Sequence, residues 1–407
     1  NPGIYYGTDI KVKQRSVTMD KVKNILKKNT MLAALIIVTI IFAIGTNGKL
    51  LYPRNVAILI GQNSYVVILA VGMLLCILTG GNIDLSIGSI VALIGAIGGT
   101  LIVNMKLNIW VAVIICLLVG ILIGIWQGFW IAYIRIPAFI VTLAGMLIWR
   151  GLALIVLDGL TINPFPDNYL KLFNSNIPDI FGGRINITSI LIGFLICIFY
   201  IGMQILGRIN TIKKGYQPKK LSSILIKTTV LCFVIMLLAY TLAKHEGIPV
   251  ILLILTVVIL IYSYFTRKTV PGRYIYAMGG NEKAAKLSGI NTNRILFFTY
   301  VNMAFLSALA ALVCVARFNS AAPTAGQNYE MDAIGSCFIG GASAYGGIGK
   351  VSGVVIGAIF MGVLNNGMSI MGIDMNVQKV VKGLVLLAAV AFDVISKSRH
   401  LAFHQKT

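Results

Sequence analysis

The 407-residue chain is 58% hydrophobic and only 11% charged, and it carries a formal net charge of +22. Soluble domains hold about 25% charged residues, so this composition excludes a water-soluble globular enzyme. It predicts an all-α, polytopic transmembrane helix bundle, because the apolar residues fall in blocks of about 20, enough to cross roughly 30 Å of hydrocarbon.

Three regions are expected: a basic cytoplasmic segment at 1–30, a single membrane domain at 31–396 and a cytoplasmic tail at 397–407. The chain opens on Asn1, so the translated start is expected upstream. No cleavable signal peptide is expected, since the first apolar block lacks a small-residue cleavage site and leads into further spans. The predicted spans, about twelve, are 31–47, 55–79, 83–103, 109–132, 137–157, 187–206, 224–243, 248–266, 294–316, 331–346, 351–371 and 378–396. The second is long enough to be broken. The tenth is short and glycine-rich, open to being a half-helix. The six cysteines all lie in apolar stretches and read as small buried hydrophobes.

Polar groups in such spans should face a pathway or a packed interface, because burying them in lipid is costly. In chain order, the first are Asn82, Asp84 and Ser86 between spans two and three. Asp84 reads either as a pathway group at an interrupted helix or as a helix N-cap, which would make it a gate or structural hinge and not a sugar ligand. Span five holds Thr142 and Arg150; the arginine needs either a buried partner or a snorkelling route to the surface. Asn302 on span nine fits helix packing. Ser336, Asn365 and Asn366, spread over the later spans with Lys382, fit a pathway or a dimer axis. Glycines at small-x-x-x-small spacing, such as Gly120 with Gly124 and Gly353 with Gly357, predict close helix packing.

Lysines and arginines concentrate in the amino-terminal segment, in the loops after spans six and eight, and in the tail. Twelve alternating spans put all of these on one side, so both termini are expected in the cytoplasm. The positive charge follows from topology and from attraction to anionic membrane lipid, with no nucleic-acid partner.

The most informative polar segment is 267–294. Asn281 is a good N-cap, Glu282 suits the first turn, Ala284 and Ala285 favour helix, Lys286 suits the last turn, and Gly289 is a natural stop. These signals predict a two-turn helix outside the bilayer whose paired alanines allow another surface to approach. The other reading is a plain connector.

Tyr276 to Asn291 resembles the Glu-Ala-Ala…Gly cytoplasmic loop of ABC importer permeases, in the branch that handles ribose, xylose, galactose and related monosaccharides. Ile83–Ser89, Pro137–Met146, and Asp332–Ile334 followed by Gly340-Gly341, Gly346-Gly347 and Gly349 are similar to the same branch. Residues 365–371 and 382–393, and the basic loop with a helix pair at 208–266, resemble the D-xylose permease type.

The resemblance implies a homodimer in the bacterial inner membrane, an ATPase subunit that holds ATP and magnesium, and an extracytoplasmic sugar-binding protein. It implies that Gly280, Asn281, Glu282, Ala284, Ala285 and Gly289 couple the bundle to the ATPase. No cofactor or metal is expected in this chain. Gly349-Lys350 is its nearest approach to a P-loop, but Ala344 stands where the first glycine belongs and Val351 replaces the Ser/Thr, so the chain is not expected to hydrolyse ATP. The rival readings are a proton- or sodium-coupled sugar transporter and an ABC permease for nucleosides or branched-chain amino acids.

Overall fold

The computed structural model describes residues 30–218 and 220–404, with side chains as far as Ile395. The basic segment before Thr30 and the last residues of the tail lie outside them. Among the described residues the only β-pairings are two isolated bridges, Ile162 with Ala321 and Asn176 with Pro249.

The helices are α1 (Thr30–Gly45), α2 (Pro53–Leu78), α3 (Ile87–Gly99, continued as a π-turn over Thr100–Asn104), α4 (Ile109–Ala132) and α5 (Ala138–Leu157). Then follow α6 (Asp167–Asn174), α7 (Ile187–Lys213), α8 (Leu221–Ala243), α9 (Val250–Lys268), α10 (Val270–Gly280) and α11 (Glu282–Leu287). The last are α12 (Thr292–Phe318), α13 (Tyr329–Ile339), α14 (Val351–Ile370) and α15 (Met375–His404). Nine helices among the described residues are long and apolar enough to cross a membrane: α2, α3 with its π-turn, α4, α5, α7, α8, α9, α12 and α14.

The second expected span is one unbroken helix, started by Pro53 in the first turn, where a proline ring sacrifices no hydrogen bond. The tenth is corrected. Helix α13 has only 11 residues, and the glycine-rich stretch after it is not helical. Asn328 and Gly341 hold positive φ angles at its two ends, which an α-helix cannot continue through. The chain reaches α13 through an irregular segment, 319–328, in which Ala321 and Gly326 are buried while Thr324, Gln327 and Asn328 are exposed. Tyr329 stacks on Tyr65, midway along α2, with ring centroids 3.9 Å apart.

Helices α2, α3, α12 and α14 form the buried centre, whereas α7 and α8 form a peripheral hairpin exposed along most of its length. Small residues set the close contacts. A Cβ on Gly120 or Gly124 would meet Ala304, Ala308 and Val301 of α12, and one on Gly357 would run into the Ser336 carbonyl of α13. Such approach supplies the dispersion contacts that hold helices together in lipid.

The tightest crossing joins α3 to the irregular segment. A Cβ on Gly88 would strike the Gly326 carbonyl, and one on Gly326 would strike the Gly88 carbonyl. Gly326 also sits at φ 72°. Gly326→Ala should therefore lower stability by more than about 1 kcal/mol, combining strain with backbone collision. Gly151→Ala, with open space around it on α5, should be neutral or stabilising. Thermal unfolding of the detergent-solubilised variants checks the contrast.

Candidate functional site: a capped outer helix and two buried polar clusters

At one end of the bundle, α11 protrudes as the short rod its sequence signals predict. The Asn281 side chain accepts the Ala284 N–H at 3.0 Å. The Ser288 hydroxyl donates to the Ala284 carbonyl at 2.9 Å. The chain then turns at Gly289, φ 83°. Leu287 is 90% exposed. The paired alanines divide their roles: Ala284 faces outward, and Ala285 is buried against the protein.

The rod is anchored from both sides. Glu282 pairs with Arg135 at 2.7 Å, and Arg135 also donates to the Thr292 hydroxyl at 3.1 Å and to Asn293 Oδ1. Both partners of the ion pair are substantially exposed, so it fixes position and contributes little stability. Before the rod, Gly279 lies where a Cβ would collide with the Leu78 carbonyl, while Gly280 has open space. The Gly347 N–H donates to that same Leu78 carbonyl at 3.1 Å. The outer helix is thus seated on α10 and the start of α12 and tied by Arg135 to the turn after α4, while Gly279 of α10 rests on the end of α2 and the loop before α14.

The first buried cluster lies between α3, α4 and α5. Asp84 is fully buried. Its Oδ1 accepts the Ser86 N–H at 2.9 Å and the Ser86 hydroxyl at 2.6 Å. Ser86, the N-cap residue of α3, makes no capping bond with its side chain; its Oγ instead accepts from Gln127 Nε2 at 2.6 Å. The N-cap reading of Asp84 is therefore replaced by a turn in which Asp84 orients Ser86 toward α4. On α5, Gly145 lets the amide and an indole meet. A Cβ there would lie 2.7 Å from Gln127 Nε2 and 3.0 Å from Trp149 Nε1. Asp84 Oδ2, Gln127 Oε1 and Trp149 Nε1 are buried with no hydrogen-bond partner among the described residues.

Thr142, also buried, bonds back to Phe139 within α5 at 3.4 Å. Asn82 closes the end of α2, donating to the Thr79 hydroxyl at 3.2 Å. Arg150, half-buried, has partners within the protein. Its Nη1 donates to the carbonyls of Pro323 at 3.0 Å and Ala325 at 2.5 Å, inside the irregular segment.

The second cluster joins α2, α13, α14 and α15. Asp332, 2% exposed, pairs with Lys382 at 3.0 Å, and the Asn365 carbonyl accepts from the Ser369 hydroxyl at 2.8 Å within α14. Asn366 exchanges bonds with Asn55, at 2.8 and 3.2 Å, and donates to Gln62 at 3.1 Å. Ser336 bonds the Asp332 carbonyl in its own helix at 2.6 Å, which is intrahelical packing. Asn302 stands apart from both clusters, accepting from the Tyr262 hydroxyl across α9 and α12.

Sequence reasoning missed Gln127 and Arg135. Gln127 is the single amide side chain in the apolar run 109–132, a signal of the same kind that singled out Asn302. In the loops at the opposite end of the bundle, the Thr188 N–H and hydroxyl both bind Asp179, at 3.0 and 2.8 Å, and hold its carboxyl below the usual carboxylate range.

A bundle of apolar helices with polar clusters inside and a capped helix outside is the build of a membrane translocation subunit. The family described as "Branched-chain amino acid transport system / permease component" matches residues 55–390. The xylose transport system permease protein XylH of Haemophilus influenzae is 35% identical over 94% of this chain and all of its own length. The XylH of Escherichia coli K12 is 36% identical over 91% of the chain and 92% of its own. The ribose import permease protein RbsC of Escherichia coli K12 is 34% identical over 91% and 94%. No solved structure matches. The chain belongs to this family of ABC importer permeases, and it is a multi-pass protein of the bacterial inner membrane.

Asp84→Ala would leave the Ser86 N–H and hydroxyl without the buried carboxylate that accepts from both. Stability should fall by about 1–3 kcal/mol. Asp84→Asn keeps the acceptor for Ser86 and should lose less. Chemical denaturation in detergent orders the two variants.

Proposed function

We propose that this chain is the translocation subunit of an ATP-driven importer for a neutral monosaccharide of pentose size. The protruding capped helix Glu282–Leu287 carries this reading. A six-residue helix seated at the end of the bundle, with an outward alanine and an exposed leucine, is shaped to be gripped by another protein. In the proposed assembly two copies of the chain meet an ATPase subunit at this end, while an extracytoplasmic sugar-binding protein docks on the opposite loops. ATP and magnesium reside in the ATPase; this chain needs no cofactor.

The reading includes twelve crossings with both termini in the cytoplasm. Helix α1, the segment 319–339 and α15 supply the three crossings beyond the nine long apolar helices. The basic residues after α7 and around α10 and α11 then share the cytoplasmic side, as the positive-inside rule requires. Relatives named for xylose and for ribose support a pentose over a branched-chain amino acid.

Movement of the outer helix would act on the first cluster through Arg135, which sits between α4, the helix of Gln127, and α5, the helix of Thr142 and Trp149. Asp84, Ser86, Gln127 and Trp149 combine a carboxylate, a hydroxyl, an amide and an indole, the groups that bind sugar hydroxyls and sugar faces. The Asn365–Asn366 cluster would serve the pathway or the contact between copies.

Ala284→Trp should block docking while leaving the bundle intact, because that side chain faces outward. Uptake by the reconstituted importer should fall at least tenfold, equivalent to about 1.4 kcal/mol, with membrane insertion unchanged. Ala285→Trp, pushing on the rod from beneath, should also uncouple ATP hydrolysis from uptake. Undiminished uptake in both variants would refute the coupling role.

A further inference from the structure

A groove of about 740 Å³ opens between α9, the start of α10 and the start of α12. Its walls are apolar, with Ile261 and Phe265 on one side and Ile295 and Phe298 on the other. The inner end is closed where the Tyr262 hydroxyl bonds Asn302. Arg294 lines it one residue before Ile295 and is its only charged lining residue; its guanidinium carbon lies 5.8 Å from the Phe298 ring centroid. No acid lines the groove among the described residues. The nearby acid of the rod, Glu282, is already paired with Arg135.

We infer that this groove is a binding site for an anionic glycerophospholipid, with an acyl chain along Ile261, Phe265, Ile295 and Phe298 and the phosphate on Arg294. Charge complementarity selects this occupant. Arg267, Lys268, Arg273, Lys283 and Lys286 lie on the same segment as Arg294, making this the basic end of the bundle. Basic pockets between membrane helices hold anionic headgroups, and each cation near the surface contributes about 1 kcal/mol to that attraction. The site also has a mechanical position: Gly289, Ile290 and Asn291, directly after the outer helix, form part of its wall. A lipid seated there would brace the root of that helix and of α12.

Native mass spectrometry of the purified full chain, titrated with phosphatidylglycerol or phosphatidylcholine, tests the site. The wild type should retain one phosphatidylglycerol with about a fivefold preference, the equivalent of about 1 kcal/mol. Arg294→Gln should abolish the preference and Arg294→Lys should restore part of it. Arg54→Gln, removing an exposed cation at the opposite end, should leave it unchanged. Ile295→Trp, filling the groove, should reduce retention of both lipids. Equal retention of the two lipids by the wild type, or an Arg294→Gln variant that keeps the preference, would overturn the assignment. So would a dimer that Ile295→Trp dissociates without changing lipid retention, since it would identify a second copy as the occupant.

Discussion

Two backbone carbonyls inside the bundle, those of Pro323 and Ala325, belong to no helix, and the Arg150 guanidinium satisfies both. Non-helical backbone at membrane depth is tolerated only where protein or water meets its polar groups. Arg150 supplies that condition for the chain between α12 and α13. The rest of the segment is held as closely. The Phe165 N–H donates to the Asn319 side chain at 2.7 Å, Ala321 bridges Ile162, and Gly326 lies against Gly88. With the segment pinned, an 11-residue helix can follow it and still carry Asp332 into the bundle beside Lys382. An uncompensated arginine in an apolar helix would be a liability; here its charge and fork of donors replace the ladder that a helix would have provided.

The outer rod and the first buried cluster share their supports. Gly279 and Gly347 both abut the end of α2 at Leu78, and the chain leaving Leu78 leads within six residues to Asp84. Arg135, which holds Glu282, occupies the turn between α4 and α5. A shift of the rod therefore bears on the ends of the helices that carry Gln127 and Trp149. Backbone crossings with no room for a Cβ, as at Gly279, transmit displacement more directly than contacts between long side chains, which can change rotamer instead.

Local signals were legible in the sequence, and long-range ones were not. The span expected at 109–132 forms as α4 with the same limits, since a run so apolar has only helix available to it in lipid. The rod was legible because capping is a matter of adjacent residues: Asn281, Glu282 and Gly289 each act within two turns. The stretch 331–346 misled because hydropathy cannot separate helix from coil, and the positive φ of Gly341, Gly346 and Gly347 is a tertiary outcome. The partner of Arg150 lies more than 170 residues away in sequence, beyond any local pattern. Asp84 was legible as an anomaly, but its role depends on Gln127 approaching from α4, and the sequence places no mark on that meeting.

The placement of acids bears on what drives transport. A carrier powered by protons or sodium requires carboxylates able to bind and release the ion within the bundle. Asp332 is already matched by Lys382. Asp84 is closed in by Ser86 and fully buried, with no ion pair to it among the described residues. Among the described residues no group of three acid, histidine or cysteine side chains could hold a metal ion. The remaining polar atoms of both clusters are amides, hydroxyls and an indole, which bind neutral hydroxylated solutes and carry no charge with which to couple to a gradient. Such an interior suits a neutral hydroxylated solute, which is consistent with the proposal that the work is delivered from outside through the protruding rod, seated on α10 and α12.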